Sequence, residues 1–245
     1  MAKPLRLVAG PKGAYGNTIE SFHSAVAAGA DTIEIDVIWL PDAHLPIEQR
    51  APLVVAHDWE DAEMRQPLLL TEALDALNRP SLDGVEIDLD IKLPGREEEL
   101  VGALRERGML ERSMISTLEL YSLGRVLELE PGLRRGWSYP KVSRDWSTVA
   151  WAKPALPVAL KVMRHRLPGL AAQQLPRLGV EAMWVYYRLI SPRLARICDL
   201  AGVELIAWKV DQESQMQRLI EEGATGICSN EPELFPAIRR QFAAA

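Results

Sequence analysis

Ala28-Gly29-Ala30-Asp31-Thr32-Ile33 joins the end of an amphipathic pattern, through one glycine, to an apolar β-branched run. The same join returns at 201–206, as Ala-Gly-Val-Glu-Leu-Ile, and at 222–227, as Glu-Gly-Ala-Thr-Gly-Ile. A glycine in this place suits the C-terminal cap of a helix, and the run after it has the composition of a strand. A helix that passes through a short cap directly into a strand is typical of a parallel sheet. The repeated join therefore predicts an α/β fold.

Short apolar runs alternate with amphipathic stretches along the whole chain. The predicted strands are Leu5–Ala9, Thr32–Trp39, Val85–Lys92, Ser113–Ser116, Leu133–Ser138, Ala182–Tyr186, Leu205–Val210 and Gly226–Ser229. The predicted helices are Thr18–Ala28, Leu70–Leu77, Arg96–Arg107, Leu120–Leu129, Leu170–Leu178, Pro192–Ala201, Glu213–Glu222 and Glu233–Phe242. These strand–helix pairs in 245 residues favour a (β/α)8 TIM barrel, with a single domain over residues 1–245. An open Rossmann-like sheet is the second choice, and it lacks the support of a Gly-rich dinucleotide fingerprint after the first strand.

Composition limits the class of protein. The chain is 48% hydrophobic and 25% charged, as in an ordinary soluble protein with a large core. The net charge of -6 argues against a general nucleic-acid-binding protein. No run approaches the roughly 18 apolar residues of a membrane span, and the N-terminus lacks the apolar core of a signal peptide, so we expect a cytoplasmic protein without an integral membrane segment. Cys198 and Cys228 are far apart among apolar neighbours, which predicts buried free thiols.

Two of the predicted strands carry acids among aliphatic residues. Glu34 and Asp36 share one face of the second strand, because alternate residues of a strand point to the same side. Asp88 and Asp90 alternate with aliphatic residues in the third strand, just before Lys92. Taken alone, the first pair could lie on an edge strand and face water, but acids near the C-terminal ends of two successive barrel strands would meet at one mouth. Oxygen ligands without a cluster of His and Cys favour one Mg²⁺ or Ca²⁺ over Zn²⁺.

Cationic and histidine side chains near these acids point to phosphate chemistry. A hard cation with open positions can bind a phosphate oxygen and offset the charge that develops during phosphoryl transfer. Lys12 and Lys92 could neutralise the remaining phosphate charge, and His57 could move a proton. A structural ion pair between Lys92 and Asp90 is compatible with this role. For Asp88 we expect an ion pair with a neighbouring Lys or Arg.

The order and spacing of several motifs resemble the glycerophosphodiester phosphodiesterase family, a family of (β/α)8 barrels. The matching pieces are Gly13, Asn17-Thr18, Phe22, Ala27, Gly29-Ala30-Asp31, Ile33-Glu34-Ile35-Asp36-Val37, Val54-Val55-Ala56-His57-Asp58, Asp90-Ile91-Lys92, Trp208-Lys209-Val210 and Ser229-Asn230-Glu231-Pro232. The resemblance implies a divalent metal, Mg²⁺ or Ca²⁺, held by Glu34, Asp36 and Asp90. It also implies that Lys92 and Lys12 face the phosphate of a small phosphorylated substrate and that Trp208 forms an aromatic wall.

The chain departs from the family pattern at two motifs of the first strand and helix. The family has His-Arg-Gly where this chain has Pro11-Lys12-Gly13, and Glu-Asn-Thr where it has Gly16-Asn17-Thr18. The family mechanism uses two histidines, of which only His57 is present here, and loss of one general acid or base costs on the order of 100- to 10,000-fold in rate. The inserted subdomain of the family is trimmed to Trp59–Gln66. We therefore expect an open mouth, or one covered by the longer loop Leu40–Ala51.

Two other histidines could compensate for the missing one. His44 lies in the longer loop, where a surface position is the favoured interpretation, and His165 lies near a possible cationic rim after the fifth strand. The family usually has Glu at the position of Asp90, but its sphingomyelinase D branch has Asp there, so the implied metal site is kept.

Three hypotheses follow from the sequence. The first is a divalent-metal-dependent phosphodiesterase that acts on a glycerophosphodiester or a related phosphorylated small molecule. The second is a diverged relative that uses the metal site for elimination, transfer or cyclisation in specialised metabolism. The third is a non-catalytic, ligand-binding relative. The first is preferred, and the third is disfavoured because three clustered carboxylates would repel one another without a metal.

Overall fold

The computed structural model describes residues 5–11, 16–141 and 155–242. The strands in these ranges are β1 Arg6–Ala9, β2 Thr32–Ile38, β3 Val54–Val55, β4 Leu68–Leu69, β5 Glu86–Ile91, β6 Ser113–Thr117, β7 Arg134–Tyr139, β8 Ala182–Tyr186, β9 Glu204–Trp208 and β10 Gly226–Ser229. The helices are α1 Ile19–Ala27, α2 Trp59–Met64, α3 Leu70–Leu77, α4 Glu97–Glu106, α5 Leu120–Leu129, α6 Leu156–Leu178, α7 Pro192–Leu200, α8 Glu213–Glu221 and α9 Phe235–Phe242.

Eight of these strands close into a barrel. The hydrogen-bonded order is β2, β5, β6, β7, β8, β9, β10 and β1, all parallel, and β1 also pairs with β2 to complete the ring. Strands β3 and β4 are short antiparallel additions beside β2. A helix follows each barrel strand, either directly or after this insertion. The predicted TIM barrel is therefore confirmed, and the open sheet is wrong because the ring has no free edge.

Most predicted elements match the observed ones closely. The strands at 182–186 and 226–229 have the predicted bounds, and the other barrel strands differ by one or two residues at an end. The predicted start of the helix at Leu170 is wrong, since α6 begins at Leu156 and contains Pro168 and Pro176. Proline usually ends a helix because it removes one backbone hydrogen bond, so the sequence pattern favours a shorter element. Helix α2 was not predicted.

Apolar side chains fill two layers, one outside and one inside the barrel wall. Ile33, Ile35 and Val37 of β2 pack outward against the helices, as the alternation of β2 predicts. The inner layer is made by Val8, Met114, Ala182, Trp184, Ile206 and Cys228. Both cysteines are buried and free, as predicted. Within the described ranges, no helix combines the length and the apolar character that crossing a bilayer requires.

Ion pairs close the end of the barrel where the strands begin. Arg6 of β1 contacts Glu86 of β5 and Glu204 of β9, the latter with 2.8 Å between Nε and Oε2. Arg134 of β7 binds the same Glu86 at 2.7 Å. These pairs link four strands at the end of the barrel opposite to the active-site mouth. We therefore infer that they stabilise the barrel.

Gly136 gives the inner layer room for a large side chain. A Cβ atom at residue 136 would lie 2.6 Å from Nε1 of Trp184 and 3.2 Å from Cβ of Ser116. Gly136→Ala is therefore expected to lower the free energy of unfolding by about 1–3 kcal/mol, as overpacked cores do. Gly124 is the matched control, because it is exposed in α5 with nothing within 4 Å of an added Cβ.

For Gly124→Ala the free energy of unfolding is expected to rise by roughly 0.5–1 kcal/mol, because alanine has the higher helix propensity. Urea unfolding followed by circular dichroism measures both variants. A Gly136→Ala protein as stable as wild type would contradict the close packing of Trp184 against β7.

Candidate active site

Three carboxyl groups converge near the C-terminal ends of two neighbouring strands. Glu34 and Asp36 lie on β2, and Asp90 lies on β5 in register with Asp36. One oxygen atom from each of the three groups lies within 4.8 Å of the other two. Glu34 and Asp36 are buried, and Asp90 is partly exposed. The structure thus brings together the three acids that the family resemblance implies as metal ligands.

Lys92 lies among these acids, one residue beyond the end of β5. Its Nζ is 2.5 Å from Oδ1 of Asp36 and also contacts the carboxylate of Asp90. Burial alone would lower the pKa of Lys92, but the carboxylates of Asp90, Asp36 and Glu34 outweigh burial and raise it. The predicted pair between Lys92 and Asp90 is present, and Lys92 carries its charge at neutral pH.

Asn17 positions Asp36 from the loop before α1. Its side-chain amide donates to Oδ2 of Asp36 at 3.0 Å, and its side-chain carbonyl accepts from the backbone N–H of Asp36 at 3.1 Å. The backbone of Asn17 has a φ of 56°, in the left-handed region that asparagine tolerates better than most residues. This double contact fixes the Asp36 carboxylate on β2.

The charges of the cluster suit a bound cation. Burial raises the pKa of Glu34 and of Asp90. Burial also acts to raise the pKa of Asp36, but Lys92 and Lys209 outweigh it, so the pKa of Asp36 is lowered. Three clustered carboxyl oxygens are the donor set that Mg²⁺ and Ca²⁺ prefer, and a divalent cation would stabilise all three in the charged form. The residues present therefore fit one such ion.

His57 approaches the cluster from the segment after β3. Its Nδ1 lies 3.0 Å from Oδ2 of Asp58, and Asp58 also caps α2 by accepting from the backbone N–H of Asp61 at 2.8 Å. The N–H of Asp61 and then the His57 ring lower the pKa of Asp58. An ionised Asp58 can only accept, so Nδ1 of His57 carries the proton and Nε2 is available for proton transfer.

One cavity joins these groups. It has a volume of about 170 Å³, and its lining includes Glu34, Asp90, Lys92, His57, Lys209 and Trp208. The Trp208 ring stands beside the ring of Tyr186, with 5.6 Å between the ring centroids. Acids, cations, one histidine and one aromatic wall therefore surround a space large enough for a small polar group.

Sequence comparison shows which known proteins this chain resembles. No family model matches the chain. A glycerophosphodiester phosphodiesterase of Caldanaerobacter subterraneus subsp. tengcongensis is 28% identical over 242 residues, which cover 89% of this chain and 89% of that protein. The chain is therefore similar in sequence to this glycerophosphodiester phosphodiesterase over most of its length. The resemblance predicted from the sequence is therefore confirmed.

Solved structures show the same fold. A glycerophosphodiester phosphodiesterase of Parabacteroides distasonis has a TM-score of 0.71 at 17% identity, with 98% of this chain and 99% of that chain covered. A phosphodiesterase of Oleispira antarctica in complex with the product sn-glycerol-3-phosphate has a TM-score of 0.65 at 19% identity, with 95% and 96% covered. The barrel of this chain thus has the same fold as these solved structures.

The ion pair predicted for Asp88 is wrong. Asp88 accepts a hydrogen bond of 2.6 Å from Oγ of Ser116 on β6, and within the described residues it has no Lys or Arg at ion-pair distance. Burial raises the pKa of Asp88 well above its ordinary value. The alternation of β5 places Asp88 inside the barrel correctly, but it does not identify a partner on the next strand.

The loop Leu40–Ala51 is held beside the barrel and does not line the cavity. Arg96 donates to Asp42 at 3.2 Å and to the carbonyl of Ala51 at 2.7 Å, and Arg50 binds Glu99 of α4 at 2.5 Å. These contacts favour the open mouth over the covered one.

The two other histidines lie away from the cavity. His44 is exposed in the loop Leu40–Ala51, as its favoured interpretation predicts, and His165 is exposed on α6. Neither contributes to the lining that the structure describes. The proposal that His165 lies on a cationic rim of the mouth is not supported by this position. Lys12, predicted to face the phosphate, lies outside the described residues.

Two site residues were missed at the sequence level. Asn17 was part of a quoted motif without a role, and its position directly before the helix cap at Thr18 was the available signal. Lys209 was quoted beside Trp208, but alternation along a strand would place neighbouring residues on opposite faces. Asn17 and Lys209 reach the site from outside regular secondary structure. Asn17 lies just before α1, and Lys209 lies just after the end of β9.

Proposed function

We propose that this protein is a divalent-metal-dependent phosphodiesterase that hydrolyses a glycerophosphodiester or a related phosphorylated small molecule. The observation that carries the proposal is the cluster of Glu34, Asp36 and Asp90, of which Glu34 and Asp90 line one cavity with His57 and Lys92. The name of the curated relative and the product bound by the Oleispira antarctica phosphodiesterase support the substrate class. The single domain over residues 1–245 and the cytoplasmic location stay predictions.

Glu34, Asp36 and Asp90 would hold the cation, which when bound supplies a Lewis acid for a phosphoryl oxygen. Lys92 adds a positive charge that offsets the acids and the phosphate. Trp208 forms an aromatic wall that limits where the substrate can lie.

His57 is the group that transfers the proton of the attacking water. Because Nδ1 donates to Asp58, the unprotonated Nε2 can accept a proton from the attacking water and pass it to the leaving oxygen. Pro11, which replaces the first histidine of the family, has no titratable group, so one histidine serves both steps in this proposal. A rate below that of a two-histidine enzyme follows.

The test is an assay of chelator-treated protein with glycerophosphocholine and glycerophosphoethanolamine. We expect release of sn-glycerol-3-phosphate with added Mg²⁺ or Ca²⁺ and no release in excess EDTA. Hydrolysis that is equal in EDTA would contradict the metal dependence, and no release with either ion would contradict the phosphodiesterase activity.

A second candidate is cyclisation, which the replacement of the first histidine by Pro11 favours because no external water has to be activated. The 2-hydroxyl oxygen of the glycerol would attack phosphorus, the bond to the head-group oxygen would break, and His57 would carry the hydroxyl proton to the leaving alcohol. Phosphorus NMR of the products separates the two reactions, since a cyclic phosphate appears only in the second. Elimination or transfer, and a non-catalytic role, have no specific observation in their favour.

A further inference from the structure

Lys209 is a second cation in the cavity and differs from Lys92 in its partners. Lys92 is held by Asp36 and Asp90. In the part of the chain that the structure describes, no carboxylate oxygen lies within 4.0 Å of the Lys209 ammonium, although that side chain also lines the cavity. A half-buried lysine without an ion-pair partner has lost part of its hydration and gains from an anionic ligand.

The strands next to Lys209 carry two further donors without acceptors. The indole Nε1 atoms of Trp184 on β8 and Trp208 on β9 are buried, and neither has a hydrogen-bond partner among the described residues. Both tryptophans line the same cavity as Lys209, but Nε1 of Trp184 lies against Gly136 of β7, which leaves Trp208 as the donor nearer to the ligand space. An unpaired buried N–H costs about 1–3 kcal/mol, so an unpaired donor beside a cation indicates a ligand with acceptor oxygens.

The order of the strands places these donors across the barrel from the acids. Strands β2 and β5 carry the carboxylates, whereas β8 and β9 carry the tryptophans and lead into Lys209. In the ring of eight strands, β8 is four places from β2 and β9 is four places from β5, which is the greatest separation possible. The tryptophans therefore lie across the cavity from the strands that carry the acids, and the Lys209 ammonium lies between them, near enough to Glu34 and Asp36 to feel their charges.

We propose that Lys209 binds a phosphate oxygen on the side of the cavity formed by Trp208. The ligand class is a phosphate group. Because its oxygens are arranged tetrahedrally, one oxygen can face the cation site of Glu34, Asp36 and Asp90 while others face Lys209. A second positive charge in the cavity favours the dianion of a phosphate monoester over the monoanion of a diester. Burial alone would lower the pKa of Lys209, but Glu34 and Asp36 outweigh it, so Lys209 stays charged. The inference rests on the proposed function for the nature of the ligand.

Phosphate binding to the Mg²⁺-loaded protein tests the proposal without any turnover. Inorganic phosphate is titrated calorimetrically into wild type, Lys209→Met, Lys209→Arg and Lys161→Met. Lys161 is an exposed residue of α6 and makes the matched control, because its replacement changes the net charge equally. We expect Lys209→Met to weaken phosphate binding by about 10- to 100-fold, as loss of a charged hydrogen bond does. Lys209→Arg should stay within a few-fold of wild type, and Lys161→Met should be unchanged.

Equal affinity of wild type and Lys209→Met would overturn the proposal, and so would a wild type that binds no phosphate. Thermal unfolding of each variant without phosphate checks that the fold is kept. If Lys209→Met does not fold, Lys209→Gln, which also removes the charge and should weaken phosphate binding by the same factor, takes its place. Phosphate binding through Lys209 without hydrolysis would contradict the proposed function alone. Hydrolysis with unchanged phosphate affinity in Lys209→Met would contradict this inference alone.

Discussion

Asp36→Asn is expected to lower kcat/KM for glycerophosphodiesters by about 1,000-fold or more and to remove the stabilisation by Mg²⁺ or Ca²⁺. Asp36 is fully buried at the centre of the acidic cluster, in contact with Lys92 and Asn17. A catalytic cation supplies several kcal/mol of transition-state stabilisation, and each 1.36 kcal/mol is tenfold in rate. Asparagine keeps the shape of the side chain but removes the charge that the cation requires.

Thermal unfolding measures the second part of this expectation. At a metal concentration about 100 times Kd, binding adds about 2.7 kcal/mol, which for a protein of this size raises Tm by roughly 5–10 °C. Asp36→Asn should show no rise. Asp75→Asn is the matched control, because Asp75 is an exposed acid of α3 paired with Arg107, and it should keep both the rate and the shift.

An Asp36→Asn protein that keeps the metal-dependent Tm shift would contradict the assignment of Asp36 as a ligand. Circular dichroism of the variant without metal shows whether the barrel is intact. If that variant does not fold, Asp90→Asn is the second test, because Asp90 is partly exposed and its loss leaves the pair between Lys92 and Asp36.

His57→Gln is expected to lower kcat by about 100- to 10,000-fold with little change in metal binding. His57 is more than half exposed and makes its hydrogen bond to Asp58 rather than to a carboxylate of the cluster. The substitution therefore impairs proton transfer but leaves the positions of Glu34, Asp36 and Asp90 unchanged. Steady-state kinetics give the rate, and the Tm shift with Mg²⁺ or Ca²⁺ reports the metal site.

His23→Gln is the control for this substitution, because His23 is exposed on α1 and does not line the cavity. It should behave as wild type in both measurements. Turnover of His57→Gln at the wild-type rate would exclude His57 as the proton carrier, while leaving the metal site untouched. Loss of the metal-dependent shift in this variant would instead indicate that His57 is needed to form the metal site.

The fold was predictable because its signals are local. Each glycine cap followed by a β-branched run marks one join between helix and strand, and the capping glycines Gly29, Gly179, Gly202 and Gly223 have positive φ in the structure. Alternation within β2 placed Ile33 and Ile35 outside and Glu34 inside the barrel, since side chains of a strand alternate between its faces. Repetition of these local rules around the ring is sufficient to indicate the barrel.

Interactions between distant segments were not predictable in the same way. The partner of Asp88 is Ser116, and the partner of Glu34 is the thiol of Cys228, which donates to Oε2 at 3.1 Å. Both contacts depend on the register between strands, which no local pattern contains. Lys209 enters the cavity after β9 has ended, where alternation no longer predicts the direction of a side chain.

Calorimetric titration of chelator-treated wild type with Mg²⁺ and with Ca²⁺ tests the central claim most directly, because it measures the ion at the three acids without any assumption about the substrate. We predict saturable binding of at least one of the two ions at a single site, and no such binding in Asp36→Asn. Absence of saturable binding of both ions to wild type, or equal binding to Asp36→Asn, would contradict the metal site formed by Glu34, Asp36 and Asp90.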